Sequence, residues 1–205
     1  MFPQVIATLE NAASTSIPSS RYAVLDKLVD YCVQQLQKES ELRLNFICTH
    51  NSRRSQFSQV WAVVAAAHYN IPLKSYSGGI EVTAFNERAI AALERQGLKA
   101  TGDISDNPHY KVSFSDNHST IETFSKLYDD PINPSTGFAA VMTCSDADEN
   151  CPFIPGTDAR IPLRYEDPKA FDGTDKEAEM YSARSIQIAS EMLYIFNKIK
   201  ETIKA

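Results

Sequence analysis

Seven residues, LRLNFIC at 42–48, run straight into a polar turn and then into an Ala- and Val-rich stretch at 55–69. A short apolar run closed by a turn reads as a buried strand, and the stretch behind it has the length of a helix. The alternation continues along the chain. LKSYS (73–77) is a second strand, closed by Gly78 and Gly79, and 84–96 is a helix stopped by Gly97, which enters the left-handed conformation without steric cost. FAAVMTC (138–144) is a third strand and 158–163 reads as a fourth. A last helix spans 175–204, with Tyr181, Ile188, Met192, Ile195, Phe196, Ile199 and Ile203 along one broad face. Strands alternating with helices predict an α/β fold whose parallel four-stranded sheet is flanked by helices.

Two stretches stand outside this alternation. Residues 1–41 read as an N-terminal helical extension, in which Ser19 and Ser20 are placed to cap a helix running to about Glu39. Leu25, Leu28, Val29, Cys32 and Leu36 share its apolar stripe, so Cys32 is read as a core cysteine. Residues 42–205 then form the α/β domain. Within it, 101–136 carries Pro108, Pro131 and Pro134 among many Asp and Asn, and reads as an elaborated connection with a strand at 110–114 and a short helix at 120–128.

Composition narrows the function classes. Of 205 residues, 43% are hydrophobic and 22% charged, as in a folded globular chain and not a disordered one. The longest unbroken apolar run, 60–67, is eight residues, far below the roughly 20 that span a bilayer. No Lys or Arg precedes Arg21 and Glu10 interrupts the apolar start, so the N-terminus does not read as a secretory signal. The expected setting is a reducing cytoplasm, where cysteines kept for a purpose tend to be catalytic, metal-binding or redox-active. The net charge of −6, with no basic run longer than Arg53–Arg54, argues against nucleic acid as a partner; a membrane partner is not expected either.

The chemistry concentrates where the first strand meets its helix, in Cys48-Thr49-His50-Asn51-Ser52-Arg53-Arg54-Ser55. Backbone N–H groups of such a loop, together with the unpaired ones at a helix start, converge to form an anion site. Thr49, His50, Asn51, Ser52, Arg53, Arg54 and Ser55 are the expected oxyanion-binding residues, with Arg54 adding a planar fork matched to two oxygens. The same positive field favours the reactive thiolate form of Cys48, to which Ser55 can donate a hydrogen bond while Asn51 braces the loop. A Cys-to-Arg spacing alone is weak; the strand before it, the helix after it and the Asn and Ser within it make it specific.

This segment resembles the phosphate-binding loop of the low-molecular-weight protein tyrosine phosphatase superfamily, and its CTxNSxRSQ wording is closer to the thioredoxin-linked arsenate reductase branch. The resemblance runs from about Leu42 to Lys200 outside the elaboration. Ser77-Gly78-Gly79 resembles the family's turn after its second strand, and Asp167-Pro168 resembles the loop that supplies a general acid. The resemblance implies that Cys48 is the nucleophile and Asp167 the acid, with Glu166 as the fallback. It further implies that Cys144 and Cys151, in TCSDADENCP, carry a disulfide cascade that thioredoxin resets.

Seven residues on a helix separate two side chains by roughly 10 Å along the axis, whereas a disulfide needs Cα atoms about 4.4–6.8 Å apart. A helix over 144–151 would therefore have to unwind. Three features depart from the family pattern. His50 stands where Gly is usual, Gln59 replaces the Glu of potassium-binding reductases, and Lys169-Ala170-Phe171 lacks the phosphatase tyrosine pair. No cofactor and no metal are expected, since neither a CxxC pair nor a nearby His completes a zinc site. Three readings follow: an arsenate reductase, a tyrosine phosphatase using Cys48, Arg54 and Asp167 alone, and a non-catalytic oxyanion-binding redox sensor.

Overall fold

The computed structural model of the chain describes residues 1–150 and 153–204, so Cys151, the expected last member of the cascade, lies outside the described residues. In chain order the elements are α1 (Pro3–Ser14), α2 (Ser19–Gln37), β1 (Arg43–Cys48), α3 (Arg54–Tyr69), β2 (Lys74–Gly79) and α4 (Glu87–Arg95). They continue with β3 (Lys99–Gly102), β4 (Tyr110–Ser113), β5 (Ile121–Thr123), β6 (Phe138–Met142), α5 (Ser145–Asn150), β7 (Thr157–Ile161), a 3-10 turn at Pro168–Phe171, and α6 (Glu177–Lys204). β2, β1, β6 and β7 lie in that order in one sheet, every neighbouring pair parallel.

Successive strand side chains point to opposite faces, and the two faces are buried very differently. Leu44 and Phe46 of β1 and Ala139 and Val141 of β6 enter the main core with Trp61, Tyr181 and Phe196. Ile47, Phe138, Ala140 and Met142 face the other way, into a small cluster completed by Cys48, Cys144, Ala147 and Ile154. α6 is the hub of the main core, packing against α1, α2, α3 and α4. Trp61 is fully buried and donates its indole N–H to Ser185 Oγ at 2.8 Å, pinning α3 to α6.

The N-terminal helices share this core through Val5, Leu9, Leu25 and Leu28. Arg21 of α2 grips Glu191 of α6 through Nε and Nη2 at 2.8 and 2.7 Å and donates Nη1 to the Arg164 carbonyl. The guanidinium also lies 5.0 Å from the Tyr165 ring centre, so the extension buttresses the segment that leads to Asp167.

Several local expectations change. α2 begins at Ser19 itself with Pro18 before it and no side-chain cap, because proline already fixes the entry φ. α4 begins three residues later than expected, where Asn86 accepts from the Arg88 N–H. The expected short helix at 120–128 is absent: Ile121–Thr123 is a strand, with Ile121 and Thr123 buried and Glu122 exposed. It closes an antiparallel sheet in the order β3–β4–β5, so the elaborated connection is a sheet of its own. Ile203, expected on the buried face of the last helix, is 41% exposed because that turn projects past the core. Among the described residues no helix is long and apolar enough to cross a membrane.

Candidate active site

The loop between β1 and α3 is held from outside by its carbonyls. Thr49 O accepts the N–H groups of Ile80 and Glu81 at 2.8 and 2.9 Å, and His50 O accepts Ser125 Oγ at 2.8 Å. Asn51 O accepts Gln56 Nε2 at 2.9 Å, and Ser52 O accepts the Asn86 N–H at 3.0 Å. With these carbonyls tied outward, none of the N–H groups of Thr49–Arg53 donates to a protein acceptor among the described residues. They add to the unpaired N–H groups of the first turn of α3, which gives the concentration of donors an oxyanion site needs.

Asn51 takes the left-handed conformation (φ 46°) that turns the loop. His50, which stands where Gly is usual in the family, does not take it; Asn51, whose short polar side chain tolerates the region, does. The close approach of β2 needs glycine: a Cβ on Gly79 would stand 2.8 Å from Asn51 N and from Thr49 O. Asn51 also accepts the Lys126 N–H on Oδ1 at 3.0 Å and donates Nδ2 to Ser55 Oγ at 2.9 Å. Ser55 Oγ lies 3.1 Å from Cys48 Sγ. Because Asn51 donates to that hydroxyl, the Ser55 proton is free to point at the sulfur, an arrangement that suits a thiolate.

Asp167 reaches the loop from 114 residues away in sequence. Its carboxylate accepts Arg53 Nε at 2.7 Å and Arg53 Nη2 at 3.1 Å, and forms an ion pair with Arg54 Nη2 at 2.8 Å. Burial opposes ionisation of this carboxyl, but the Arg53 hydrogen bonds and the charges of Arg54 and Arg53 outweigh it and hold Asp167 below the usual carboxylate range. Arg54 also donates Nη1 to the Tyr165 carbonyl at 3.1 Å, while its Nε is buried without a partner among the described residues. Glu166 is exposed, and its charge acts on Arg184.

Cys144 follows β6 and is 1% exposed. Thr49 joins it to the loop: Thr49 Oγ1 donates to Asp146 Oδ2 at 2.7 Å and lies 3.5 Å from Cys144 Sγ. With its single proton used on Asp146, Thr49 accepts from the Cys144 thiol. The Ala147 N–H donates to the same sulfur at 3.3 Å. α5 is fastened to β7 and the chain beyond it by Asp148, which pairs with Arg160 Nη1 at 2.6 Å and Arg164 Nε at 2.7 Å. Cys32, by contrast, lies in the main core far from this chemistry, its thiol pushed up by complete burial.

A groove of about 560 Å³ opens beside the loop, lined by His50 and Arg53 on one side and by Phe85, Asp106, Tyr110 and Lys169 on the others. The second sheet thus forms one wall of the approach, and His50 Nε2 is held at its lip 3.2 Å from the Glu81 carboxylate. Gln59 is satisfied within the chain, accepting Ser77 Oγ at 2.6 Å and donating to Glu122 O at 3.2 Å. Sequence reasoning missed two features. Arg53 spends its fork on Asp167, and Lys126 is buried beside the loop with its amine pushed down to about 8, burial outweighing the nearby charges of Asp130 and Glu122. Nothing in the local pattern signals the Arg53–Asp167 pair or the burial of Lys126; both depend on long-range packing.

Over 124 residues the chain is 35% identical to the arsenate reductase of Staphylococcus aureus (strain Newman), covering 60% of this chain and 76% of that protein. The chain belongs to the arsenate reductase family. Arsenate reductase 1 of Staphylococcus saprophyticus is 34% identical over the same shares. A solved low-molecular-weight phosphotyrosine phosphatase from Vibrio cholerae O395 superposes on 78% of this chain and 98% of its own, at TM-score 0.54 and 12% identity, and so shares the fold. No protein-family model matches the chain. This arsenate reductase family member is therefore an enzyme built on the low-molecular-weight phosphatase fold.

Proposed function

We propose that the chain reduces arsenate to arsenite with three cysteines in sequence and is reset by thioredoxin in a reducing cytoplasm. Arsenate sits on the loop N–H groups from Thr49 to Ser55, gripped by Arg54. The Cys48 thiolate attacks arsenic, an As–O bond breaks, and the oxygen leaves as water. The Cys144 sulfur then attacks Cys48, forming an S–S bond while arsenic keeps the electron pair of the broken S–As bond and departs as arsenite. Cys151 attacks Cys144, which frees Cys48 and leaves a Cys144–Cys151 disulfide for the dithiol of thioredoxin to reduce. Asp167 is the candidate acid for a leaving oxygen that carries no proton of its own.

One observation carries this reading over simple phosphate hydrolysis: the buried Cys144 thiol is hydrogen-bonded to Thr49, the residue next to the nucleophile. Hydrolysis has no use for a second thiol there. The test is NADPH oxidation with arsenate, thioredoxin and thioredoxin reductase. Wild type should turn over continuously, and C151S should release a single equivalent of arsenite and stop. C144S should release none. If wild type shows no arsenate-dependent oxidation yet hydrolyses an aryl phosphate, and C144S hydrolyses it equally well, the phosphatase reading replaces this one. Tight anion binding with neither turnover would leave a redox-sensing module.

A further inference from the structure

Asp167 faces more positive charge than a proton donor needs. Arg53 holds both of its oxygens, Arg54 adds a third contact, and the Lys169 N–H donates to Oδ1 at 3.1 Å. From α6, Tyr181 faces the same group with its hydroxyl turned to Asp172 at 2.7 Å, and Arg184 acts on Arg54. Cys48 acts on Arg53 from the loop. When an oxyanion occupies the loop, the Arg54 fork is drawn to it. A carboxylate paired with Arg54 alone would then be released and could take up a proton. Here Arg53, whose side chain is only 10% exposed, remains bound to it.

We propose that Arg53 is a specificity-determining residue that keeps Asp167 from serving phosphate esters while leaving arsenate chemistry supplied. The inference rests on the reading of Cys48 and Asp167 above. For an aryl phosphate, the Cys48 S–P bond forms as the P–O bond breaks, and the departing phenolate has no proton of its own. It must take one from Asp167, which Arg53 keeps as an anion. For arsenate the leaving oxygen is already a hydroxyl. In the step RS⁻ + H₂AsO₄⁻ → RS–AsO₃²⁻ + H₂O the second proton comes from another hydroxyl of the same anion, so no protein acid is consumed. The direction of the Asp167 shift agrees with this division of labour.

The test compares kcat/KM for phenyl phosphate, which has a basic leaving group, with that for p-nitrophenyl phosphate, across pH. R53Q should raise phenyl phosphate turnover about tenfold, equivalent to about 1.4 kcal/mol of barrier, and raise the nitrophenyl ester less. The falling limb of its pH profile should move up by about one unit, since the acid stays protonated to higher pH. Adding D167N should remove the gain in R53Q, so that the double variant turns over no faster than D167N alone. R53K, keeping charge but losing the fork, should fall between, and it carries the test if R53Q does not fold.

Protection of Cys48 from iodoacetamide by inorganic phosphate checks that each variant still binds the anion. Identical pH limbs in wild type, R53K and R53Q, or a gain that survives D167N, would overturn the proposal. No arsenate, thioredoxin or second thiol enters these assays. A failure of the reductase reading therefore shows elsewhere, as wild type inert toward arsenate.

Discussion

The two faces of the parallel sheet are built to different standards. One packs Leu44, Phe46, Ala139 and Val141 under α6 and the helices around it, with Trp61, Tyr181 and Phe196 fully buried. The other buries Ile47, Phe138, Ala140 and Met142 beneath little more than α5, Ile154 and Tyr128. Cys48 and Cys144 both belong to the thin face. A chemistry that requires α5 to unwind is least costly where few apolar contacts are lost, and local opening energies follow contact density. Under the proposed cascade the thick face would hold β1, and with it the loop, still while α5 opens.

Truncations measure this asymmetry first. Phe46→Ala should cost about 3–5 kcal/mol in chemical denaturation, as a fully buried aromatic leaves a cavity its neighbours cannot fill. Ile154→Ala, under thin cover, should cost nearer 2 kcal/mol because the segment can settle into the gap. Equal losses would break the comparison.

Lys126 comes next, two residues from the Tyr128 that caps the thin face. Its folded-state amine titrates near 8, below the ordinary value of 10.5, so the unfolded chain binds the extra proton between those limits. Wild-type stability should therefore rise as pH increases from about 8 to 10.5. Lys126→Met should be more stable at pH 7 by on the order of 2 kcal/mol, and the advantage should vanish at high pH. An advantage unchanged with pH would mean that packing, not charge, was its source.

Asp148→Asn should act locally. Losing the Arg160 and Arg164 pairs should raise amide exchange in α5 about tenfold, a change of about 1.4 kcal/mol, with β1 and β6 amides unaffected. The smallest effect belongs to Ile203→Ser, within about 0.5 kcal/mol for an exposed position.

β1 and β6 were legible because each is a near-continuous apolar run, β2 because Gly78 and Gly79 close it, and the Cys48 loop because its donors and its thiol lie within eight consecutive residues. The second sheet was not. Its strands are three or four residues long, alternate in burial and lie among prolines, so β5 passed for a helical turn. His50 and Asn51 show a subtler limit, since spacing locates a turn but not which residue takes the left-handed φ. Arg53 was read as one more anion ligand. Its partner is 114 residues away, and no local periodicity encodes a contact at that range.

The grip of Arg21 on Glu191 has a consequence for how the protein is made. These partners are separated by 170 residues, which at 5–20 residues per second is roughly 10–30 s of translation. Throughout that interval Leu9, Leu25 and Leu28 have left the ribosome without the helix that covers them, and the arginine-bearing loop awaits Asp167. Chaperone demand should therefore persist until α6 emerges. A ribosome stalled before residue 177 should display a nascent chain that is sticky and chemically silent, however complete its first strand and loop already are.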